Sequence, residues 1–251
     1  MVGFARVYDH LSASLVVIGN EILSGKVIDT NTPFLARELR GIGVALERVV
    51  VIPDELEQIA TEVAVFSRRY DVVFTSGGVG PTHDDITMDG VAAAFGRPLV
   101  EHIELRRAIE SFVGNRLNAA HLKMAQIPEG AELIVDDKLA FPTVVVENVY
   151  ILPGIPELFQ TKVLALRDRM RARPYFLRQI LVCENETRIA EFLNATLLAF
   201  PELLLGSYPK LSDPDYRVRL TLESKDEAYV ERALADLVER LPAGCVFRVE
   251  S

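Results

Sequence analysis

Three short apolar runs, SLVVIGN (14–20), VALERVVVIP (44–53) and YDVVFTS (70–76), set the architecture expected of this chain. They are rich in β-branched residues, as in strands covered on both faces. Amphipathic segments separate them. In NTPFLARELRGIG (31–43), Phe34, Leu35, Leu39 and Ile42 recur at helical spacing, and Gly41 and Gly43 close the segment. In DELEQIATEVAVFSRR (54–69), Ile59, Val63 and Phe66 form a stripe behind Asp54, the expected helix cap. DDITMDGVAAAFG (84–96) reads as a third helix, ended by Gly96. Such alternation calls for a three-layer α/β domain, a mostly parallel sheet with helices on both faces. Ligands of these sheets lie off the carboxyl ends of the strands. The loops after Asn20, Ile52 and Ser76 therefore define the expected site.

The pattern then changes. Residues 101–124 are helical and more polar, and AELIVDD (131–137), TVVVEN (143–148) and VYILPG (149–154) read as short strands. IPELFQTKVLALRDRM (155–170) is a further helix, and RARPY (171–175) marks a boundary. Beyond it FLRQILVC, ETRIAEFLNATLLAF, ELLLGSYP, YRVRLTLES, DEAYVERALADLVERL and CVFRV follow in βαββαβ order. That order predicts a small α+β domain of split-βαβ type, and a division of the chain into 1–174 and 175–251. In YRVRLTLES, Val218, Leu220 and Leu222 alternate with Arg217, Arg219 and Thr221, so one strand face is expected to be solvated.

Composition narrows the ligand. A net charge of −9 argues against nucleic acid as a partner. A phosphorylated small molecule remains open to an acidic chain that offers backbone donors, a few placed cations or a metal. No apolar run is long enough to span a membrane as a helix; LVVIG (15–19) is five residues. Cys183 and Cys245 lie far apart in no metal-ligand spacing. A reduced, cytoplasmic compartment is the simpler expectation, with one disulfide as the alternative.

The segment TSGGVGPTHDD (75–85) carries the chemistry. Gly77, Gly78 and Gly80 permit positive φ and close approach, and successive N–H groups in such a turn can cradle an anion. Asp84 and Asp85 would repel that anion unless a divalent cation lay between, and Mg²⁺ takes one or two carboxylates together with phosphate oxygens. Helix capping competes for the same residues: Thr82 and Asp85 have the spacing of a capping box. His83 lies within reach of a ligand in this loop. The loop GNEILSGKVIDTN (19–31) is no Walker A motif, because five residues rather than four separate Gly19 from Gly25 and Val27 follows Lys26. Glu21 is its favoured site residue, Lys26 and Asn31 are candidates for ligand contact, and Thr30 or Asn31 is the expected cap of the next helix. In ILPGIPEL (151–158), Pro153, Gly154 and Pro156 make a rigid turn whose helix start is a second candidate anion site.

GNEILSGKVIDTN, TSGGVGPTHDD, KMAQIPEGAELI and YILPGIPELF, in this order over residues 14–170, resemble the CinA-type branch of the molybdopterin-binding (MoaB/Mog-like) fold and the amino-terminal domain of eukaryotic FAD synthases. The small domain resembles the KH-type domain that follows in CinA proteins. A role in dimerisation suits it better than RNA binding, since no G-x-x-G follows Gly154. The chain ends before a region corresponding to the CinA amidase domain, so deamidase activity is not expected.

The resemblance places Gly77, Gly78, Gly80, Asp85 and Thr87 on the family's phosphate-contacting motif, with Asp84 as the preceding acid, and the local pattern adds Pro81, Thr82 and Gly154 as candidate ligand contacts. The resemblance implies divalent-metal-dependent cleavage of ADP-ribose- or FAD-like dinucleotides, with potassium as a further ion. On the residues themselves, Asp84, Asp85 and Glu21 are the candidate catalytic acids and Asp84, Asp85 and Asp54 the candidate metal ligands, with Glu21 or Asp54 completing the metal shell or orienting water. The alternatives are binding or adenylation of molybdopterin and a non-catalytic assembly module. Members of this fold assemble, so a homo-oligomer is expected.

Overall fold

The computed structural model describes residues 8–136, 139, 141–210 and 214–250. The chain divides into two compact units between Arg173 and Pro174. The first contains β1 (Ser12–Ile18), α1 (Asn20–Leu23), α2 (Asn31–Gly41), β2 (Ala45–Ile52), α3 (Leu56–Arg69), β3 (Val72–Ser76), α4 (Thr87–Ala94), β4 (Leu99–Glu101), α5 (Ile103–Val113), α6 (Ala119–Lys123), β5 (Gln126–Pro128), β6 (Glu132–Ile134), β7 (Thr143–Val146), β8 (Val149–Leu152) and α7 (Pro156–Leu166). Its main sheet runs β2-β1-β3-β8-β7-β6. The first four strands are parallel, whereas β8, β7 and β6 are antiparallel neighbours.

Alternate residues of the central strands feed two separate cores, which is the physical content of three layers. Val16, Ile18 and Val73 pack with Ile59, Val63 and Phe66 of α3, Val91 of α4 and Leu105 and Ile109 of α5. Leu15, Val17, Val72 and Phe74 pack on the other face with Leu35 and Leu39 of α2 and Phe159, Val163 and Leu166 of α7. The Phe34, Leu35, Leu39 and Ile42 stripe lies on this second core as expected. Each fully buried side chain of this kind contributes about 1.5–3 kcal/mol, so continuous burial of β1 and β3 anchors the strand ends.

The second unit holds β9 (Phe176–Val182), α8 (Glu186–Ala199), β10 (Leu204–Pro209), β11 (Val218–Ser224), α9 (Glu227–Arg240) and β12 (Val246–Glu250). Its antiparallel sheet runs β10-β11-β9-β12, a split-βαβ arrangement. Val218, Leu220 and Leu222 are buried against α8 and α9, matching the alternation in sequence. The opposite face is less open than expected, because Thr221 is buried and Arg219 stacks 5.4 Å from the Tyr208 ring. Cys183 and Cys245 are free thiols.

The structure corrects several local expectations. Asp54 does not cap α3: the cap position is Glu55, and the Asp54 carboxylate instead accepts the Asn20 N–H at 2.8 Å. Neither Thr30 nor Asn31 caps α2 with its side chain. Asp29 does so, accepting from the N–H groups of Asn31 and Thr32 at 2.9 and 3.1 Å. The third helix begins at Thr87 rather than Asp84, so Thr82 and Asp85 form no capping box. The loop after β1 contains the one-turn α1, and the β4–β5 pair was not foreseen. Of the expected strand 131–137, β6 takes Glu132–Ile134, and its Asp137 end lies outside the described residues. Among the described residues no helix is long and apolar enough to cross a membrane.

Candidate functional site

The loop after β3 has a buried half and an exposed half. Gly77 is buried with φ 110°, and its N–H donates to Leu152 O at the end of β8. A Cβ there would stand 2.0 Å from Ile18 O. Gly77, expected among the phosphate donors, is therefore a packing glycine. Gly78 also has positive φ, 62°, whereas Gly80 does not. Gly80 is small for a different reason, since a Cβ would meet the Asp85 carboxylate at 2.5 Å. Thr87 is fully buried beneath this turn; its hydroxyl donates to Gly77 O at 2.8 Å and its N–H to Gly78 O at 3.0 Å. It shapes the loop from below. Among the described residues, the N–H groups of Gly78, Val79 and Gly80 have no acceptor. Consecutive free donors in such a turn make an anion nest.

The exposed half, Pro81–Asp85, is held by its own side chains. Asp85 Oδ2 accepts the Thr82 N–H at 2.8 Å, and the Thr82 hydroxyl lies within hydrogen-bond reach of both Asp84 Oδ1 and Asp85 Oδ2. The two carboxylate oxygens thus lie within two hydrogen-bond lengths of each other. The Thr82 hydroxyl is the main reason that the Asp84 carboxyl is held below the ordinary aspartate range. His83 points to solvent, 3.9 Å from Asp84 Oδ1.

A cleft of about 680 Å³ opens beside the glycine loop. Gly77–Pro81, Asp85 and Glu21 line one side, and Met88, Leu105, Ile109, Met124, Phe141, Pro142, Val144, Ile151 and Leu158 supply a largely apolar wall. Lys162 lies in that wall and donates to Phe141 O and Pro142 O, both at 2.9 Å. Burial pushes its ammonium pKa down to about 8. A second cleft of about 250 Å³ lies against Gly78–Gly80, Asp85, Asp89, Lys123 and Gln126.

Asn31 ties the strand ends together. Its Nδ2 donates to Ser76 Oγ at 3.0 Å and to Gly154 O at 2.9 Å. Because Gly154 O can only accept, the amide cannot be flipped. Asn31 Oδ1 is then a buried acceptor with no partner, and Asn31 also lines a small recess with Glu21, Asp29 and Ser76. Gly154 packs on Gly77, with its added Cβ 3.2 Å from Gly77 Cα, so the turns after β3 and β8 touch. Lys26 is exposed on the turn between α1 and α2.

Asp84 and Asp85 come together; Asp54 and Glu21 do not join them. Among the described residues no group of three or more His, Cys, Asp or Glu could hold a metal ion. Asp54 instead secures the loop after β1, and the Glu21 carboxylate folds back over Gly19. The two remaining carboxylates suit Mg²⁺, which keeps several waters and binds through one or two acids plus phosphate. Lys123 was missed: its ammonium reaches Thr82 O and Asp85 O. Its position in KMAQIPEGAELI was visible, but nothing local ties it to a turn some forty residues away.

Residues 14–170 match the family described as "Probable molybdopterin binding domain", and residues 174–250 match "FAD synthase, middle domain". The chain belongs to the molybdopterin-binding-domain family, in the CinA-like group related to FAD synthases. A protein of Archaeoglobus fulgidus is 34% identical over 90% of this chain and 96% of its own length. "Probable FAD synthase" of Caenorhabditis elegans is 33% identical over 96% of this chain, which spans only 52% of that protein. The crystal structure of CinA from Thermoplasma acidophilum, described as of unknown function, has TM-score 0.59 and 32% identity over 64% of this chain and 99% of that one. The match of the second unit is to the FAD synthase middle domain, and it lends no support to the KH-type comparison.

Proposed function

We propose that this protein is a divalent-metal-dependent pyrophosphatase of dinucleotides of the ADP-ribose or FAD type. The observation that carries the reading is the free N–H row of Gly78, Val79 and Gly80, set between paired carboxylates and a large apolar cleft. The N–H groups would hold phosphate oxygens. The apolar wall would take a flat ring system, and the Asn31 carbonyl would accept from a ligand hydroxyl or N–H. Asp84 and Asp85 would hold the metal, which when bound supplies charge stabilisation to the phosphoryl group. Relationship to FAD synthases supports a flavin or adenine dinucleotide as substrate.

The test is incubation of the purified protein with FAD and, separately, ADP-ribose, with Mg²⁺ or Mn²⁺, followed by chromatography for AMP. AMP release that disappears in Asp84→Ala and Asp85→Ala supports the reading; release equal in parent and variants, or none at all, defeats it. Molybdopterin binding or adenylation is the second reading, favoured by the match of residues 14–170. Fluorescent pterin retained by the protein without pyrophosphate cleavage would select it.

A further inference from the structure

Lys123 ends α6, 41 and 38 residues along the chain from Thr82 and Asp85, yet its Nζ lies 2.6 Å from Thr82 O and 2.8 Å from Asp85 O. Both acceptors belong to the backbone of the turn that carries the paired aspartates. An ammonium has three N–H donors and no acceptor. Two are engaged on the turn, and among the described residues the third has no acceptor. The same side chain lines the 250 Å³ cleft beside Gly78, Gly80 and Asp85. A flexible lysine tethered at two points has little freedom left, so its third donor is directed by the turn itself.

We propose that Lys123 donates this third N–H to a phosphoryl oxygen of the ligand, joining the acidic turn and the glycine nest into one phosphate site. The assignment rests on the phosphoanhydride reading above. It explains how a turn facing its neighbours with carbonyls and carboxylates accepts an anion: the ammonium converts its carbonyl edge into a donor. A charge-assisted bond of this kind is about twice as strong as a neutral one, so its loss is a measurable change in affinity.

The experiment is calorimetric titration of the full chain with inorganic pyrophosphate and Mg²⁺, comparing parent, Lys123→Gln and Lys123→Arg, with melting temperatures taken alongside. The expected result is binding weakened by roughly tenfold or more in Lys123→Gln and largely restored in Lys123→Arg. Lys123→Gln binding within about twofold of the parent overturns the assignment and leaves Lys123 as a staple of the turn. A crystal structure of the parent with pyrophosphate and Mg²⁺ needs no variant to fold. Nζ in direct contact with a phosphoryl oxygen supports the proposal, and Nζ remote from phosphate overturns it. If the parent itself fails to bind pyrophosphate, the phosphoanhydride reading falls and takes this assignment with it; if the parent binds and Lys123→Gln binds equally, only the lysine assignment falls.

Discussion

The two halves of the loop after β3 are built on opposite principles. Gly77 and Gly78 are shaped from outside, by Ile18 O, Gly154 and the buried Thr87. Thr82, Asp84 and Asp85 are shaped from within, by hydrogen bonds among themselves in water. The first half cannot relax without disturbing three strand ends. The second can change its side chains and leave the fold intact. Under the function proposed above, the rigid donor row would bind phosphate in a fixed place and the adaptable acidic turn would gather a hydrated cation to it.

The sharpest way to break this contrast is Gly77→Ala. Positive φ and a Cβ 2.0 Å from a backbone carbonyl leave no unstrained solution. A loss of about 3 kcal/mol or more is expected, seen in denaturant unfolding. A near-parental unfolding midpoint would mean that the glycine half is as adaptable as the acidic half. Asp85→Asn probes the other side. Asparagine can still accept the Thr82 N–H, so the fold should hold, but the proposed metal-dependent pyrophosphate cleavage should slow by about a hundredfold, near 2.7 kcal/mol of barrier. Thr87→Val comes next. It leaves Gly77 O without a donor inside the protein, at a cost of about 1–3 kcal/mol, read from the same unfolding curves. Equal stability of Thr87→Val and parent would show that the glycine turn keeps its shape unaided.

The same division explains what was legible beforehand. Strand and helix positions depend on local periodicity, so Leu35, Leu39, Ile59, Val63 and Phe66 could be assigned to cores from spacing alone. The second unit's βαββαβ order was legible for the same reason. The glycine loop was legible as a turn, but the different tasks of Gly77, Gly78 and Gly80 were not, because each depends on what approaches from another strand. Asp54, expected to cap α3, reaches across to Asn20, and Asp29 takes the α2 cap expected of Thr30 or Asn31; a carboxylate before a helix can do either, and only tertiary packing decides. Lys123 and Lys162 were silent because lysines in helical segments are usually solvated, and their partners lie on other elements.

Lys162 gives the smallest and most specific test. It bounds the apolar cleft that faces the glycine half, as Lys123 bounds the acidic half. Burial lowers its pKa from 10.5 to about 8, so the folded protein gives up this proton more readily than the unfolded chain. Near neutral pH both states are charged, and folding carries the full cost of burying the ammonium. As pH rises past about 8 the folded state deprotonates first, the unfolded chain then holds more protons, and stability rises. Between pH 7 and about 8.5 the gain from this group should be under about 1 kcal/mol. In Lys162→Met the overall stability changes as the bonds to Phe141 O and Pro142 O are lost, but the specific signature is the slope. Denaturant unfolding across this pH range should show the parent gaining more than the variant. Parallel pH profiles would place the Lys162 ammonium in contact with water, and the apolar wall of the cleft would then be more open than the packing around Phe141 and Val144 indicates.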